Sequence, residues 1–555
     1  MPLEVVATGP APLDPRAEQT MVAMRDRVRL ATDVYLPERP GRLPSVLVRM
    51  PYDKSARDCF LPRLSPYVND RGYALVVQDV RGKFRSEGET MPFAHDIADA
   101  YDTLEWITGQ PWSDGSVGMW GDSYCGWTQW AAVACRHPAL KAIVPRVTST
   151  DFMDSGHWWG DWVMPLYLAQ YLARYWLDRH AYQFPVDWTH RPLAEVFDEG
   201  FAAIGARSAA FDQFMLHRGR GGFPAYPASR CLFASQRVPA LHTVGWFDCI
   251  GAHSMRDYMA LRALPERSRL QYLLADSADH DNHRLRSVPP SPGDDRHVGD
   301  AALARTGRRL IGPGLDFFDA FVARRADPEV VARVRWHLAY GRWRESDVWP
   351  PRRVHDVRLH LSAARRAADG PAGGRLAWSP DSRTGYARWI HDPGHLVPSA
   401  VSDPFSMLME WPDERAIESR GDVLTFTSEP LHRRLDLVGP VSAVLDLASS
   451  AGSMHVHVKL LDVGPDGAAR LLVRGQTHVG GCDQGRPTRI DLGHTGYGVR
   501  AGHSLRLHVA SSDFPLFLWH PGTGENPWFA GKGMANQQTL ATGGSRGSYV
   551  SLSVQ

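Results

Sequence analysis

Gly121-Asp122-Ser123-Tyr124-Cys125-Gly126 sits between a short apolar run ending at Trp120 and a helical pattern starting at Tyr124. A serine at such a strand-to-helix corner occupies a sharp turn that exposes its hydroxyl above the carboxyl edge of a sheet. The helix behind it points backbone N–H groups toward an oxyanion forming there. A serine nucleophile needs a base to take its proton and a carboxylate to orient that base. In a sheet of this kind they follow in the order serine, acid, histidine, each just beyond a later strand. Asp248 fits the acid, in Gly245-Trp246-Phe247-Asp248 after the apolar run 238–246. His280 fits the base, in Asp276-Ser277-Ala278-Asp279-His280 after the run 270–275. A lone aspartate or histidine in a loop is usually just solvated, so the ordered triple carries the reading. The corner departs from Gly-x-Ser-x-Gly, because Cys125 holds the second glycine position and Gly126 follows it.

These residues need elements that hold them. Residues 28–36, 46–50 and 73–80 are apolar, β-rich runs, and 96–107 has helical spacing with Ile97, Leu104 and Ile107 on one face. A short strand at 116–120, a helix at 124–135 and a strand at 142–147 come next. Strand–helix alternation predicts a mostly parallel, doubly wound sheet. From 150 to about 230 strand signals give way to aromatics such as Trp158, Trp162, Tyr171, Tyr175 and Trp188, which predicts an inserted helical cap. Alternation resumes at 238–246 and 270–275, followed by a helical run at 316–324. Beyond Val354 the pattern turns β: Met454, Val456, Val458 and Leu460 alternate with His455, His457 and Lys459, which predicts a half-solvated strand. The expected fold class is α/β: a doubly wound core (1–149 and 236–350), an inserted helical cap (150–235) and a C-terminal antiparallel β-sandwich of jelly-roll type (351–555).

Composition narrows the function. The chain has 555 residues, 43% hydrophobic and 22% charged, with 62 basic against 61 acidic residues. That balance gives no footprint for nucleic acid or an anionic membrane. No segment approaches the roughly 18 consecutive apolar residues of a membrane span, and residues 1–25 lack a secretory signal. The six cysteines are scattered with no Cys-x-x-Cys pair, so thiols in a reducing cytoplasm are expected. The loop Asp279-His280-Asp281-Asn282-His283 lacks a fourth defined metal ligand, and Arg218-Gly219-Arg220-Gly221-Gly222 follows no strand, so neither reads as a metal or phosphate site. The aromatic stretch 157–162 serves equally well as acyl pocket or as cap core.

Together the segments Arg49-Met50-Pro51-Tyr52-Asp53-Lys54, Val77-Gln78-Asp79-Val80-Arg81-Gly82, Ser86-Glu87-Gly88, Gly121–Gly126, Gly245–Asp248 and Ser511-Ser512-Asp513-Phe514-Pro515 resemble a known family. It comprises serine esterases and peptidases: bacterial cocaine esterase, α-amino-acid ester hydrolases and X-Pro dipeptidyl-peptidases. The resemblance spans nearly the whole chain in the same domain order. It implies an α/β-hydrolase core, helical cap and jelly roll, with no metal and no organic cofactor. It also implies that the Tyr52 phenol and the backbone N–H of Tyr124 form the oxyanion hole; taken alone, Tyr52 reads as a packed aromatic. Asp79 and Arg81 are expected to form an ion pair or loop anchor. The family carries a bulky aromatic before its histidine, whereas this chain has Asp276–His280 there, so His283 competes with His280 as the base. Asp279 beside the imidazole is expected to raise its pKa.

The expected activity is hydrolysis of a small ester or amide through an acyl-enzyme on Ser123. The same intermediate would serve an acyltransferase. An X-Pro dipeptidyl-peptidase fits less well, since larger members carry an extra N-terminal region, and a carbohydrate-binding protein without catalysis is the remaining class. A homodimer is compatible with all of these.

Overall fold

The apolar runs of the first 350 residues build one ten-stranded sheet. A computed structural model describes residues 3–38, 41–59, 61–151, 164–217, 229–285, 300–371, 373–544 and 547–555. In chain order the strands are β1 (Glu18–Ala23), β2 (Arg29–Tyr35), β3 (Leu43–Met50), β4 (Ala74–Asp79), β5 (Ser113–Asp122), β6 (Leu140–Arg146), β7 (Ala240–Gly245), β8 (Gln271–Asp276), β9 (Val334–His337) and β10 (Trp343–Ser346). Their spatial order is β10-β9-β8-β7-β6-β5-β3-β4-β2-β1. The seven strands from β4 to β9 across the middle run parallel, and β1, β2 and β10 complete the edges antiparallel. Strands covered on both faces lose the alternation of half-buried ones, which is why β3 and β4 are buried at every position, with Arg49, Gln78 and Asp79 among their apolar residues. The carboxyl ends of β5, β7 and β8 therefore meet along one edge, where sheets of this type place their sites.

Helices α1 (Asp96–Thr108) and α2 (Tyr124–Cys135) cover one face. The cap includes α3 (Pro165–Tyr175), whose buried side carries Leu166, Ala169, Leu172 and Ala173. Contrary to the expectation of a strand-free insertion, Ala181–Gln183 pairs antiparallel with Val6–Thr8 at the N-terminus. The Trp158, Trp159 and Trp162 stretch and the segment Arg218 to Gly222 lie outside the described residues. α4 (Gly251–Ala263) follows the Asp248 corner. The run read as a helix at 316–324 belongs to a longer one, Asp300–Phe321.

The C-terminal part holds an eleven-stranded sheet, antiparallel but for one parallel pair. Its longest strand, Leu435–Ser449, pairs with three neighbours. Trp246 and Phe247 belong to the same apolar cluster as Leu437, Val456 and Leu552, so one core joins the two sheets. The strand Met454–Val463 is buried on both faces, which corrects the solvated face expected for His455, His457 and Lys459. Lys459 Nζ lies 3.0 Å from both Glu414 and Asp513, and this pairing lets a lysine be buried.

Candidate active site

Ser123 has φ 56° and ψ −122°, outside the helical region, between the last residue of β5 and the first of α2. For a non-glycine residue this backbone is costly, and the surroundings hold it there. Ser123 N donates to Arg146 O at 3.0 Å, and Thr148 Oγ1 donates to Ser123 O at 2.7 Å. Gln129 Nε2 donates to the carbonyls of Gly121, Cys125 and Val144, which pins α2 onto the sheet. A Cβ on Gly121 would stand 2.5 Å from that of Cys125, and one on Gly126 would stand 2.5 Å from Thr148 Cγ2. The second close approach of the turn thus falls at position 126, which explains why Cys125 is tolerated where a glycine is usual.

His280 Nδ1 and Asp248 Oδ1 are 2.8 Å apart, both side chains being buried. Asp248 Oδ1 also accepts from Ile250 N at 3.0 Å. Burial alone would push the imidazole down, but the Asp248 carboxylate outweighs it, with help from Asp281 and Asp122, and raises the pKa to about 9. His283 turns the other way: its N–H donates to Asp279 Oδ1 at 2.8 Å, and its ring faces Oδ2 at 3.3 Å. Asp279 Oδ2 also accepts from Leu408 N at 2.9 Å. The expectation that Asp279 perturbs His280 is therefore corrected: Asp279 binds His283 and the C-terminal domain, and Asp248 perturbs the imidazole.

The unusual acidic loop is a docking device. Asp281 N donates to Phe405 O at 3.0 Å, Ser406 Oγ donates to Asp281 Oδ2 at 2.5 Å, and the Phe405 ring packs 5.0 Å from that of His280. Asn282, at φ 65°, turns back toward the serine corner. Its Nδ2 donates to Asp122 Oδ2 at 2.8 Å, and its Oδ1 accepts from Arg146 Nη2 at 2.7 Å. Arg146 Nε donates to Asp122 Oδ1 at 2.5 Å. Asp122, Arg146 and Asn282 thus tie the serine corner to the histidine loop. Arg146 and Asn282 lie 136 residues apart with no local sequence signal to join them, whereas Asp122 is visible inside the corner motif.

Tyr52 follows β3 and stands beside Ser123, with which its phenol interacts; burial raises the phenol pKa. Its ring meets Tyr175 of α3 edge-on, with centroids 5.8 Å apart, and Tyr171 of the same helix faces it. Buried charge holds this segment. Lys54 Nζ lies 3.0 Å from Asp33 and 3.7 Å from Asp79, whose carboxyl burial pushes up to about 7. Arg81 pairs with Asp99 at 2.6 Å and Asp26 at 2.7 Å. Asp79 and Arg81 are loop anchors through these partners, the second of the two arrangements expected for them, and no bond between the two is formed. Lys83 Nζ donates to the carbonyls of Tyr175, Asp178 and His180, fastening the end of α3 to the core. The Tyr124 phenol donates to Asp96 Oδ2 at 2.7 Å and accepts from Phe93 N at 2.8 Å. As the first residue of α2, Tyr124 has a backbone N–H with no acceptor within its helix. Serine, phenol, helix N-terminus and the Asp248–His280 pair thus converge on one sheet edge, a constellation suited to acyl transfer.

Residues 26–282 match the X-Pro dipeptidyl-peptidase (S15 family), and residues 328–551 match the X-Pro dipeptidyl-peptidase C-terminal non-catalytic domain. The cocaine esterase of Rhodococcus sp. (strain MB1 Bresler) is 30% identical over 549 residues, covering 92% of each chain. An α-amino acid ester hydrolase superposes with a TM-score of 0.79 at 24% identity over 98% of each chain. An aminopeptidase from the marine sediment archaeon Thaumarchaeota archaeon gives 0.79 at 23% identity, again over 98% of each chain. Among the described residues no helix is long and apolar enough to cross a membrane.

Proposed function

The chain belongs to the serine esterase and peptidase family of cocaine esterase and the X-Pro dipeptidyl-peptidases, and on that premise we propose that it cleaves an ester or amide through an acyl-enzyme on Ser123. It is a serine hydrolase. His280 takes the Ser123 proton as the hydroxyl attacks the substrate carbonyl, then returns it to the leaving group. Asp248 orients His280 through the 2.8 Å contact and stabilises the imidazolium. The Tyr52 phenol and the Tyr124 N–H hold the oxyanion. Water, activated by the same imidazole, then releases the acyl group. The cap, residues 150–235, bears on the acyl side through Tyr171 and Tyr175, which flank Tyr52.

The observation that carries this reading is the pairing of His280, not His283, with the buried Asp248 beside the Ser123 corner. Intact-protein mass spectrometry during turnover of acyl esters and amides of graded size tests it. The expected result is a mass increase equal to one acyl group, lost with time in water and absent in Ser123→Ala. Adding an alcohol or amine separates hydrolysis from transfer. Turnover with no acylated species and full activity in Ser123→Ala would overturn the reading.

A further inference from the structure

The residue after Asp248 adds a ligand that the proposed chemistry does not use. A carboxylate oxygen of Asp248, Sγ of Cys249 and a ring nitrogen of His280 all lie within 4.8 Å of one another. Oδ1 of Asp248 is occupied by His280 Nδ1 and Ile250 N, whereas Oδ2 is buried and has no N–H or O–H donor. The side chain is wholly withdrawn from solvent, so an unsatisfied carboxylate oxygen there is expensive. The Cys249 thiol faces this carboxylate. Beside Asp248 and Cys249, on the side away from the His280 ring, opens a cavity of about 70 Å³ that Met407, Leu472 and Arg474 also line. A water needs roughly 10–15 Å³ of such space, so the cavity can hold the water that completes a coordination shell.

We propose that Asp248, Cys249 and His280 form an inhibitory site for a thiophilic divalent cation, Zn²⁺ or Cd²⁺. Oxygen, sulfur and nitrogen fill three positions of a tetrahedron and water fills the fourth. Bond lengths of about 2.0–2.3 Å put such ligands roughly 3.3–3.8 Å apart, so contraction by about 1 Å from the outer limit completes the site. The Cys249 thiol releases its proton to solvent. His280 Nδ1 exchanges its hydrogen bond to Asp248 for the metal, and the ring proton moves to Nε2. Nε2–H then has no lone pair for the Ser123 proton, and attack stops. Carboxylate plus thiolate cancel the cation's two charges, which makes the site compatible with the Arg474 guanidinium along the same cavity. Inhibition rests on the reading of His280 as the base; metal binding does not, so the two are measured apart.

The full-length protein, stripped with EDTA, is titrated with Zn²⁺ against a chromophoric indicator, and with Cd²⁺ while thiolate-to-metal absorption is followed. Ester hydrolysis is recorded at the same free Zn²⁺. Cys249→Ala and the volume-keeping Cys249→Val are compared with the parent, with thermal unfolding as the fold control. Binding of one equivalent is expected, with hydrolysis lost in parallel and restored by EDTA. Both variants should lose one Cd²⁺–thiolate band and weaken Zn²⁺ by about tenfold or more, at least the effect of losing a mere supporting partner at a metal site. Unchanged affinity and absorption in either well-folded variant would overturn the site. Binding that leaves hydrolysis intact would overturn the inhibition.

Discussion

Replacing Tyr52 by Phe removes one oxygen from the candidate oxyanion hole and little else. The ring keeps its edge-on contact with Tyr175, 5.8 Å between centroids, so its packing survives. The phenol is buried, in a setting that disfavours charge strongly enough to raise its own pKa. A donor in such a setting needs no reorganisation when negative charge develops on the substrate carbonyl. Removing one such donor costs about 2.7–4 kcal/mol, or roughly 10²–10³ in turnover. Because the oxyanion exists only in the transition state, KM should move far less than kcat. The assay is stopped-flow release of the chromophore from an activated aryl ester, where the burst reports acylation directly. Acylation slowed by about two orders of magnitude with a near-constant KM is the expected outcome. A burst as fast as the parent's would remove Tyr52 from the site, and an equal rise in KM would make it a binding group.

Three further outcomes follow from the geometry. His280→Ala should be nearly inactive in ester turnover while His283→Ala keeps most of its rate, since only His280 contacts Asp248; the reverse would reassign the base. The base must be neutral to act, so a pKa raised to about 9 puts the acid limb of kcat/KM above the unperturbed value of about 6.5, with activity climbing as pH rises. Asp248→Asn takes away the largest raising charge while burial, Asp281 and Asp122 remain, so the limb should move down from about 9; a limb that stays put in pH–rate profiles would refute the assignment. Asn282→Ala cuts the link between Asp122 and the histidine loop. It should lower kcat by about tenfold with a smaller change in KM, the scale of lost positioning, and steady-state kinetics showing only lower thermal stability would make Asn282 merely structural.

The parts read best from sequence were those with local, repeated physical signals. The helix at Tyr124–Cys135 agrees with the structure to the residue, because the Gly121–Ser123 corner and Pro138 bracket it. The strand Pro487–Val499 was missed because Gly493, Gly496 and Gly498 break its pattern. α4 was missed because it buries His253, Ser254 and Asp257 along with its apolar residues, leaving no stripe. Asp257 is satisfied by the N–H and hydroxyl of Thr150, a partner 107 residues away. Lys459 misled for the same reason: its alternation promised solvent, and the carboxylates that bury it come from residues 414 and 513. At the site, the places of Ser123, Asp248 and His280 just beyond their strands were legible, and the structure pairs the last two. The acidic histidine loop was not, since its meaning lies in backbone donors and acceptors at Phe405–Leu408 of another domain.

Stoichiometric labelling tests the central claim most directly. The protein is treated with a fluorophosphonate, and the modified residue is located by peptide mass spectrometry. One equivalent on Ser123 is predicted, with labelling abolished in Ser123→Ala and slowed at least about 10³-fold in His280→Ala, because an unassisted serine hydroxyl is a poor nucleophile. Labelling of a different residue, or labelling of Ser123 at the parent's rate without His280, would contradict it.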